Sequence, residues 1–275
     1  MKIGILTIGD ELLSGSTHDL NSYTLAKILF KEGVKASTFR TCSDSDIEDT
    51  LKQMLKDHTI VITSGGLGPT HDDLTAESIA AVAGVDLVMS EEVLKDLSTR
   101  YTQRLEEVKG VARIPDGATP LINKVGSAPG FVFTNNNGHA VIAMPGVPYE
   151  LEDMAKTYLP HILDERRLSD HGIFASSMHF CHAREDLLAP VVSKLALTFP
   201  EFEFGIYPHS GSVSVVFRGK ANDKRAFLKS TEGVIETLYD EFPTLVFPAK
   251  HGSVTESVLS ELKSRNETLV LAESC

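Results

Sequence analysis

The residues best suited to chemistry lie in a glycine-rich turn, which reads SGGLGPTHDD from Ser64 to Asp73. The turn follows an apolar strand pattern and opens a helix pattern, which is where open α/β sheets bind ligands. Glycines allow positive φ angles and close approach of a ligand, and the free N–H groups at a helix start attract anions. The turn therefore predicts a site for a phosphate or pyrophosphate of a nucleotide-like or pterin-like ligand.

Two adjacent carboxylates, Asp72 and Asp73, end this turn. They would repel a phosphate unless a divalent cation lay between them, and Mg²⁺ typically binds one or two carboxylates together with substrate phosphates. The pair therefore indicates metal-assisted phosphoanhydride chemistry, in which the metal polarises a phosphoryl oxygen and activates water. The alternative is that one of the two aspartates only caps the helix.

Two further strand ends carry residues that could reach the same crevice. The run GDELLSG from Gly9 places acidic residues after the first strand, and PGVP from Pro145 leads from a third strand to a glutamate. The alternatives are a solvated turn at the first place and a rigid turn at the second. If the three turns converge, the candidate catalytic residues are Asp72, Asp73 and Glu11, the candidate metal ligands are Asp10, Asp72 and Asp73, and the candidate substrate-binding residues are Gly9, Asp10, Asn21, Ser64, Gly65, Gly66, Gly68, Thr70, Pro145, Gly146 and Glu150.

Alternating strand and helix patterns from residue 1 to about 165 must position these turns. The predicted strands are Lys2–Ile8, Thr59–Thr63 and Ala140–Met144, and the predicted helices are Asn21–Gly33, Ile47–Lys56, Asp73–Ala83, Glu91–Lys109 and one that starts near Tyr149. This order predicts an α/β fold, with a mostly parallel sheet that has helices on both faces.

The pattern changes after Leu168 to the order β-α-β-β-α-β, which predicts a small α+β domain on one antiparallel sheet. The corresponding segments are Ile173–His182, Glu185–Leu197, Glu203–Tyr207, Ser212–Arg218, Ala221–Tyr239 and Thr244–Phe247. A last helix, Val254–Lys263, and a last strand, Thr268–Ala272, have no partners left in the sequence. We expect them to be the start of a further domain.

Composition narrows the functional classes. The 275 residues include 38 acidic and 26 basic side chains, and the net charge of -12 disfavours binding to a nucleic-acid backbone. Three widely separated cysteines match no disulfide framework or metal knuckle. No apolar run approaches the ~20 residues of a membrane span. We therefore expect a cytoplasmic protein that binds a small molecule and no membrane.

Four separated motifs in this order resemble those of the CinA proteins. They are the Gly9–Gly15 motif, GGLGPTHDDLT at Gly65–Thr75, NKVGSAPGF at Asn123–Phe131, and MPGVPYE at Met144–Glu150. The resemblance covers essentially the whole chain. It implies a molybdopterin-binding-like domain at 1–168, shared with MoaB and MogA, a KH-like domain at 169–250, and the truncated start of an amidase domain at 251–275.

The resemblance also implies an activity for the first domain. CinA proteins are expected to hydrolyse ADP-ribose to AMP and ribose 5-phosphate with Mg²⁺, Mn²⁺ or Co²⁺, and with K⁺ as a further ion. On this basis Asp72 and Asp73 would bind metal or activate water, and Gly65, Gly66, Gly68 and Thr70 would surround the pyrophosphate. The alternatives are a pterin- or nucleotide-binding module without turnover, and a regulatory protein linked to competence or DNA damage.

The resemblance implies less about the function of the other two domains. The middle domain shows no clear G-x-x-G clamp, so RNA binding does not transfer from the KH resemblance, and we expect a structural or homodimer-forming module. The end, TLVLAESC at Thr268–Cys275, resembles the opening of a nicotinamide-nucleotide deamidase. Because the motif stops there, we expect no deamidase activity from this chain.

Overall fold

The structure is a computed structural model that describes residues 2–166, 172–209, 211–246 and 254–272, without the side chains of 254–256. The chain divides into two compact units, Met1–Ser169 and Asp170–Cys275. Assignment of the second unit to a KH-like domain and the start of an amidase domain stays a prediction.

The first unit alternates strands and helices along most of its length. Its strands are β1 (Ile3–Ile8), β2 (Ala36–Cys42), β3 (Ile60–Ser64), β4 (Leu87–Met89), β5 (Arg113–Pro115), β6 (Thr119–Leu121), β7 (Gly130–Thr134) and β8 (Ala140–Met144). Its helices are α1 (Asp10–Leu13), α2 (Leu20–Lys31), α3 (Ile47–Asp57), α4 (Thr75–Ala83), α5 (Glu91–Arg100), α6 (Leu105–Val108) and α7 (Pro148–Glu165).

One six-stranded sheet, in the order β2-β1-β3-β8-β7-β6, organises this unit. The first four strands in that order run parallel, whereas β7 and β6 pair antiparallel. Every residue of β1, β3 and β8 is buried, because helices cover both faces of the sheet. One face packs against α2 and α7, and the other face packs against α3 and α4.

Parallel pairing decides where a site can form. The carboxyl ends of β1, β2, β3 and β8 lie along one edge of the sheet, since register pairs Ile8 with Cys42 and Ser64 with Met144. The turns that follow these four strands therefore meet at that edge. They are the turns that begin at Gly9, Ser43, Gly65 and Pro145.

The second unit has a three-stranded antiparallel sheet in the order β10-β11-β9. Its elements are β9 (Gly172–Cys181), α8 (Glu185–Thr198), β10 (Glu203–His209), β11 (Ser212–Ala221), α9 (Lys224–Ser230), α10 (Glu232–Glu241) and α11 (Val254–Ser264). Its core is rich in phenylalanine: Phe180, Phe217 and Phe227 are all buried.

The predicted fold class is confirmed: an α/β unit with a mostly parallel central sheet is followed by a smaller α+β unit. The predicted helix over Glu91–Lys109 is wrong, because α5 ends at Arg100 and residues 101–104 separate it from α6. The predicted helix over Ala221–Tyr239 is two helices that meet at Thr231.

Several short or irregular strands also differ from prediction. The strands β2, β4, β5, β6 and β7 were not predicted. In place of the predicted strand Thr244–Phe247, the described part, to Val246, forms one antiparallel bridge to Phe180. Residues 268–272 form no strand, contrary to expectation.

Candidate functional site

A cleft of ≈ 510 Å³ lies where the four strand-end turns meet, within the ~300–1,000 Å³ of typical ligand sites. Most of the residues predicted from sequence line it. They are Gly9, Glu11, Gly65, Gly66, Gly68, Asp72, Asp73, Pro145, Gly146 and Glu150. The structure thus brings the three predicted turns together in one place.

Four predicted residues do not line this cleft. Asn21 and Ser64 hydrogen-bond behind it, Thr70 lines a neighbouring chamber, and Asp10 lies within electrostatic reach of the cleft residue Asp44. These four residues can therefore take part in substrate binding in two ways. They can position the residues that line the cleft, or they can contact a ligand that extends beyond it.

Close backbone contacts hold the glycine-rich turn against its neighbours. Gly65 has φ 112, and a Cβ atom there would lie 2.3 Å from the Ile8 carbonyl oxygen. A Cβ on Gly146 would lie 3.2 Å from the Gly65 Cα. Glycine is therefore needed at Gly65 both for its backbone angle and for the space it leaves.

A side-chain clamp behind the cleft joins α2 to two of the turns. The Asn21 amide nitrogen donates to the Ser64 hydroxyl at 2.9 Å and to the Gly146 carbonyl at 2.6 Å. The Ser64 hydroxyl in turn donates to the Pro145 carbonyl at 3.2 Å. Asn21 and Ser64 therefore fix the Pro145–Gly146 turn to the end of β3.

The glycine-rich turn leaves several backbone donors available. Among the hydrogen bonds within the described residues, none is donated by the backbone N–H of Gly66, Leu67 or Gly68. By contrast, the Gly65 N–H donates to the Met144 carbonyl at 3.2 Å. Consecutive unpaired N–H groups form the kind of concavity that binds anions.

The structure excludes helix capping as the role of Asp72 or Asp73. The residue at the N-cap of α4 is Leu74, which makes no side-chain capping bond. Asp73 instead accepts hydrogen bonds from the Thr70 N–H at 2.9 Å and from the Thr70 hydroxyl. The Thr70 hydroxyl also lowers the pKa of the exposed Asp72 carboxyl, so Asp72 stays ionised at neutral pH.

Asp44 is a cleft residue that sequence reasoning missed. It follows β2, a strand that was not predicted, and its Oδ1 would lie 3.4 Å from a Cβ on Gly66. Burial raises the pKa of Asp44, and the neighbouring carboxylates Asp10, Glu11, Asp72 and Asp73 raise it further. The sequence did contain a signal for this strand end. Asp44 follows a segment in which two β-branched threonines precede Cys42.

These acids make the cleft strongly negative. The residues that line it include no Lys, Arg or His in the described part of the chain. Within the same residues, no group of three or more His, Cys, Asp or Glu side chains is arranged to hold a metal ion. A hard divalent cation still fits this donor set, because it can be held by one or two carboxylates and by ligand phosphates.

Glu150 differs from the other acids, since it is only 8% exposed. Its Oε2 accepts a hydrogen bond from the Asn123 amide nitrogen at 2.6 Å. The Asn123 Oδ1 accepts from the backbone N–H groups of Val125 and Gly126. Glu150 and Asn123 together hold the 123–128 loop beside the cleft, which Ser127 and Ala128 also line.

Comparison with known proteins relates this architecture to one family. Residues 4–164 match the family model described as "Probable molybdopterin binding domain". A CinA-like protein of Gemmatimonas aurantiaca is 32% identical over 283 residues, which span 100% of this chain and 66% of the relative. A protein of Archaeoglobus fulgidus is 31% identical over 243 residues, which span 88% of this chain and 100% of the relative.

A solved structure gives the same relationship. The crystal structure of the protein CinA from Thermoplasma acidophilum has a TM-score of 0.55 and 32% sequence identity, and covers 59% of this chain and 99% of that chain. In the described residues, no helix has both the length and the hydropathy that a membrane span needs.

Proposed function

This chain belongs to the CinA-like family, and we propose that its first unit binds a nucleotide diphosphate with a divalent cation and hydrolyses the phosphoanhydride bond. The observation that carries the proposal is the meeting of unpaired backbone N–H groups and several carboxylates in one cleft. The N–H groups suit phosphate oxygens, and the carboxylates suit a cation that neutralises them.

The cleft residues divide into two groups by their chemistry. The backbone N–H groups of Gly66, Leu67 and Gly68 would bind the diphosphate oxygens. One or two carboxylates would hold the cation together with ligand phosphates, and the candidates are Asp72, Asp73, the newly found Asp44 and, outside the cleft lining, Asp10. When bound, Mg²⁺, Mn²⁺ or Co²⁺ supplies Lewis-acid polarisation of phosphoryl oxygens and lowers the pKa of a bound water. K⁺ remains a proposed further ion.

Glu11 is the carboxylate that we propose to accept a proton from the attacking water. Its side chain lies in the cleft and packs back on Gly9, where a Cβ would meet the Glu11 Oε1 at 2.5 Å. Water then adds across the phosphoanhydride bond of ADP-ribose, one P–O bond breaks, and the products are AMP and ribose 5-phosphate.

The test is to incubate the purified chain with ADP-ribose and each of the three divalent ions and to quantify AMP. We expect AMP with the wild type and at least a hundredfold less with Asp72→Asn and Asp73→Asn. Asp57→Asn, at the exposed end of α3, is the matched control and should retain full activity. Equal AMP from all four proteins, or none from the wild type, would reject the hydrolase.

A second candidate function is binding of a pterin without turnover. The observation that favours it is the match of residues 4–164 to a molybdopterin-binding family model. Calorimetric titration with a pterin, with and without Mg²⁺, tests this candidate. Tight binding that needs no metal, together with no AMP from ADP-ribose, would replace the hydrolase with a binding module.

Assembly and location are further proposals. We propose that the chain forms a homodimer in the cytoplasm and binds neither nucleic acid nor membrane. Light scattering on the purified chain tests the dimer, and a monomer at micromolar concentration would contradict it. The chain spans about two thirds of the Gemmatimonas relative, so the activities of that whole protein are a separate question.

A further inference from the structure

Arg100 supports one wall of the cleft from a distance. It ends α5, and the residues that line the cleft in the described part of the chain do not include it. Its Nη1 donates to the Gly126 carbonyl at 2.9 Å, and its Nη2 donates to the Asn123 carbonyl at 2.7 Å. Both carbonyls belong to the 123–128 loop, part of which lines the cleft. Arg100 therefore contacts the cleft wall through this loop.

The Arg100 side chain is itself held in place. The Asp96 Oδ2 accepts a hydrogen bond from the Arg100 Nε at 2.9 Å, and the two side chains are only 28% and 27% exposed. The guanidinium carbon also lies 5.2 Å from the centre of the Tyr101 ring. A planar guanidinium presents its donors in a fixed fork, whereas a lysine ammonium is a compact point charge. Arginine is therefore suited to holding two carbonyl groups at once.

The two loop residues that Arg100 holds are the same two that lie against Glu150. The Asn123 amide nitrogen donates to the Glu150 Oε2 at 2.6 Å, and a Cβ on Gly126 would lie 2.1 Å from that oxygen. Glu150 is buried and lines the cleft. Because the loop fits so closely against this carboxylate, a displacement of the loop would also displace part of the cleft wall.

Capping of α5 is the simpler explanation for Arg100, and its hydrogen bonds argue against that role. The last turn of α5 is closed by backbone, because the Tyr101 N–H donates to the Leu97 carbonyl at 2.7 Å. Neither carbonyl that Arg100 holds belongs to the helix. The loop lies between β6 and β7 and has no helix or strand of its own, so other groups must satisfy its buried carbonyls. The contacts of Arg100 therefore serve the loop.

We propose that Arg100 is a positioning residue, which sets the 123–128 loop against Glu150 so that the cleft is shaped before its ligand binds. This inference rests on the proposed function for the identity of the ligand. The carboxylates proposed to hold the cation and to accept the proton lie on other turns. Loss of Arg100 should therefore weaken ligand binding more than it slows the chemical step.

Steady-state kinetics of the full chain with ADP-ribose and Mg²⁺ test this role. Arg100→Ala should raise the KM about tenfold and change kcat less than about threefold. Arg100→Lys keeps the charge without the fork, and its KM should lie between those of the wild type and Arg100→Ala. A purely structural loss would instead lower kcat with the amount of folded protein and leave the KM unchanged. Arg104→Ala, which breaks an exposed ion pair just beyond α5, is the matched control.

Hydrogen exchange without ligand gives a readout that does not depend on turnover. The Asn123 Oδ1 holds the N–H groups of Val125 and Gly126, and in Arg100→Ala these two amides should exchange about threefold faster. Arg100→Lys should give an intermediate rate. The amides of β8 should exchange as in the wild type in both variants, since every residue of that strand is buried.

The outcomes separate this role from the proposed function. An unchanged KM in Arg100→Ala, or a raised KM without faster exchange in the loop, would overturn the positioning role and leave the proposed function standing. If Arg100→Ala fails to fold, a wild-type KM and wild-type exchange in Arg100→Lys would overturn it. A wild type that makes no AMP would overturn the proposed function, and the exchange rates alone would then decide whether Arg100 positions the loop.

Discussion

The two units of the chain place their strand ends in opposite ways. In the first unit β1, β2, β3 and β8 run parallel, so their carboxyl ends share one edge of the sheet. In the second unit β11 pairs antiparallel with both β9 and β10, so neighbouring strands of that sheet place their carboxyl ends at opposite edges. Strand direction therefore concentrates loop residues in the first unit and disperses them in the second.

The cores of the two units also differ in their side chains. The first unit has an aliphatic core on each face of the sheet, and its glycines and acids gather at the edge. The core of the second unit contains contacts between aromatic rings. The ring centroids of Phe180 and Phe242 lie 5.6 Å apart, and those of Phe202 and Phe227 lie 5.9 Å apart. This contrast supports the proposal that the first unit binds the ligand. Four changes can test this contrast.

The largest effect is expected from Phe227→Ala in the second unit. Phe227 is 1% exposed and contacts the rings of Phe174 and Phe202, so its loss should cost roughly 3–5 kcal/mol of unfolding free energy. Urea unfolding followed by circular dichroism measures this, and exposed Leu228→Ala is the control. If native Phe227→Ala also lost ligand binding by the first unit, the separation of roles would be wrong.

The next effect is expected from Gly65→Ala. Its positive φ and the 2.3 Å approach to the Ile8 carbonyl combine a backbone penalty with a steric clash, together about 2–4 kcal/mol. Gly138→Ala is the control, since Gly138 has φ 80 but open space around its Cβ position. It should lose only ~1–2 kcal/mol. Equal losses in thermal unfolding would refute the tight contact between the turns.

A smaller effect is expected from Asn123→Ala, which removes the partner of the buried Glu150 carboxylate. Leaving that group unsatisfied should cost about 1–3 kcal/mol, whereas exposed Asn136→Ala should cost less than ~0.5 kcal/mol. Chemical unfolding of both variants measures the difference. Similar stability in the two would mean that Glu150 does not depend on Asn123.

The smallest effect is expected from Asp44→Asn. Because its pKa is raised in the folded state, the folded chain retains this proton where the unfolded chain has lost it. Stability from Asp44 is thus present at low pH and declines as the pH rises through the raised pKa. The variant should lack that decline and gain a few tenths of a kcal/mol at pH 7 without metal.

Melting temperatures measured across acidic to neutral pH, with and without Mg²⁺, test the role of Asp44. Asp57→Asn should follow the wild type throughout. Mg²⁺ should stabilise the wild type more than Asp44→Asn, because the cation relieves the repulsion that the variant has already removed. An identical Mg²⁺ response in both proteins would place Asp44 outside the cation site.

Long, strongly patterned elements were predictable from sequence, and contacts between distant residues decided the rest. β8 was predicted to the residue, because its five apolar residues are all buried. β2 was missed, because five of its seven residues are exposed or half-buried at the sheet edge and show little apolar pattern. That omission also hid Asp44.

Tertiary contacts explain the two helices that were predicted too long. Arg100 at the end of α5 donates to the carbonyls of Asn123 and Gly126. These hydrogen bonds anchor the end of the helix to that loop. Thr231, between α9 and α10, is fully buried and donates its hydroxyl to the Leu228 carbonyl. The hydrophobic periodicity of a segment gives no information about its contacts with the 123–126 loop or about the packing around Thr231.

The amino-acid sequence was sufficient to predict the α/β class, the glycine-rich turn after β3, the paired Asp72 and Asp73, and the family of the chain. These features depend on local pattern and short motifs, which are readable one segment at a time. Three-dimensional contacts were needed to show that Asp44 joins the cleft, that Asn21 and Glu150 position loops, and that Glu77 and Arg113 line one small cavity beside the cleft. The physical reason is that each of these relations joins segments far apart in sequence, and only the pairing of strands brings them within contact distance.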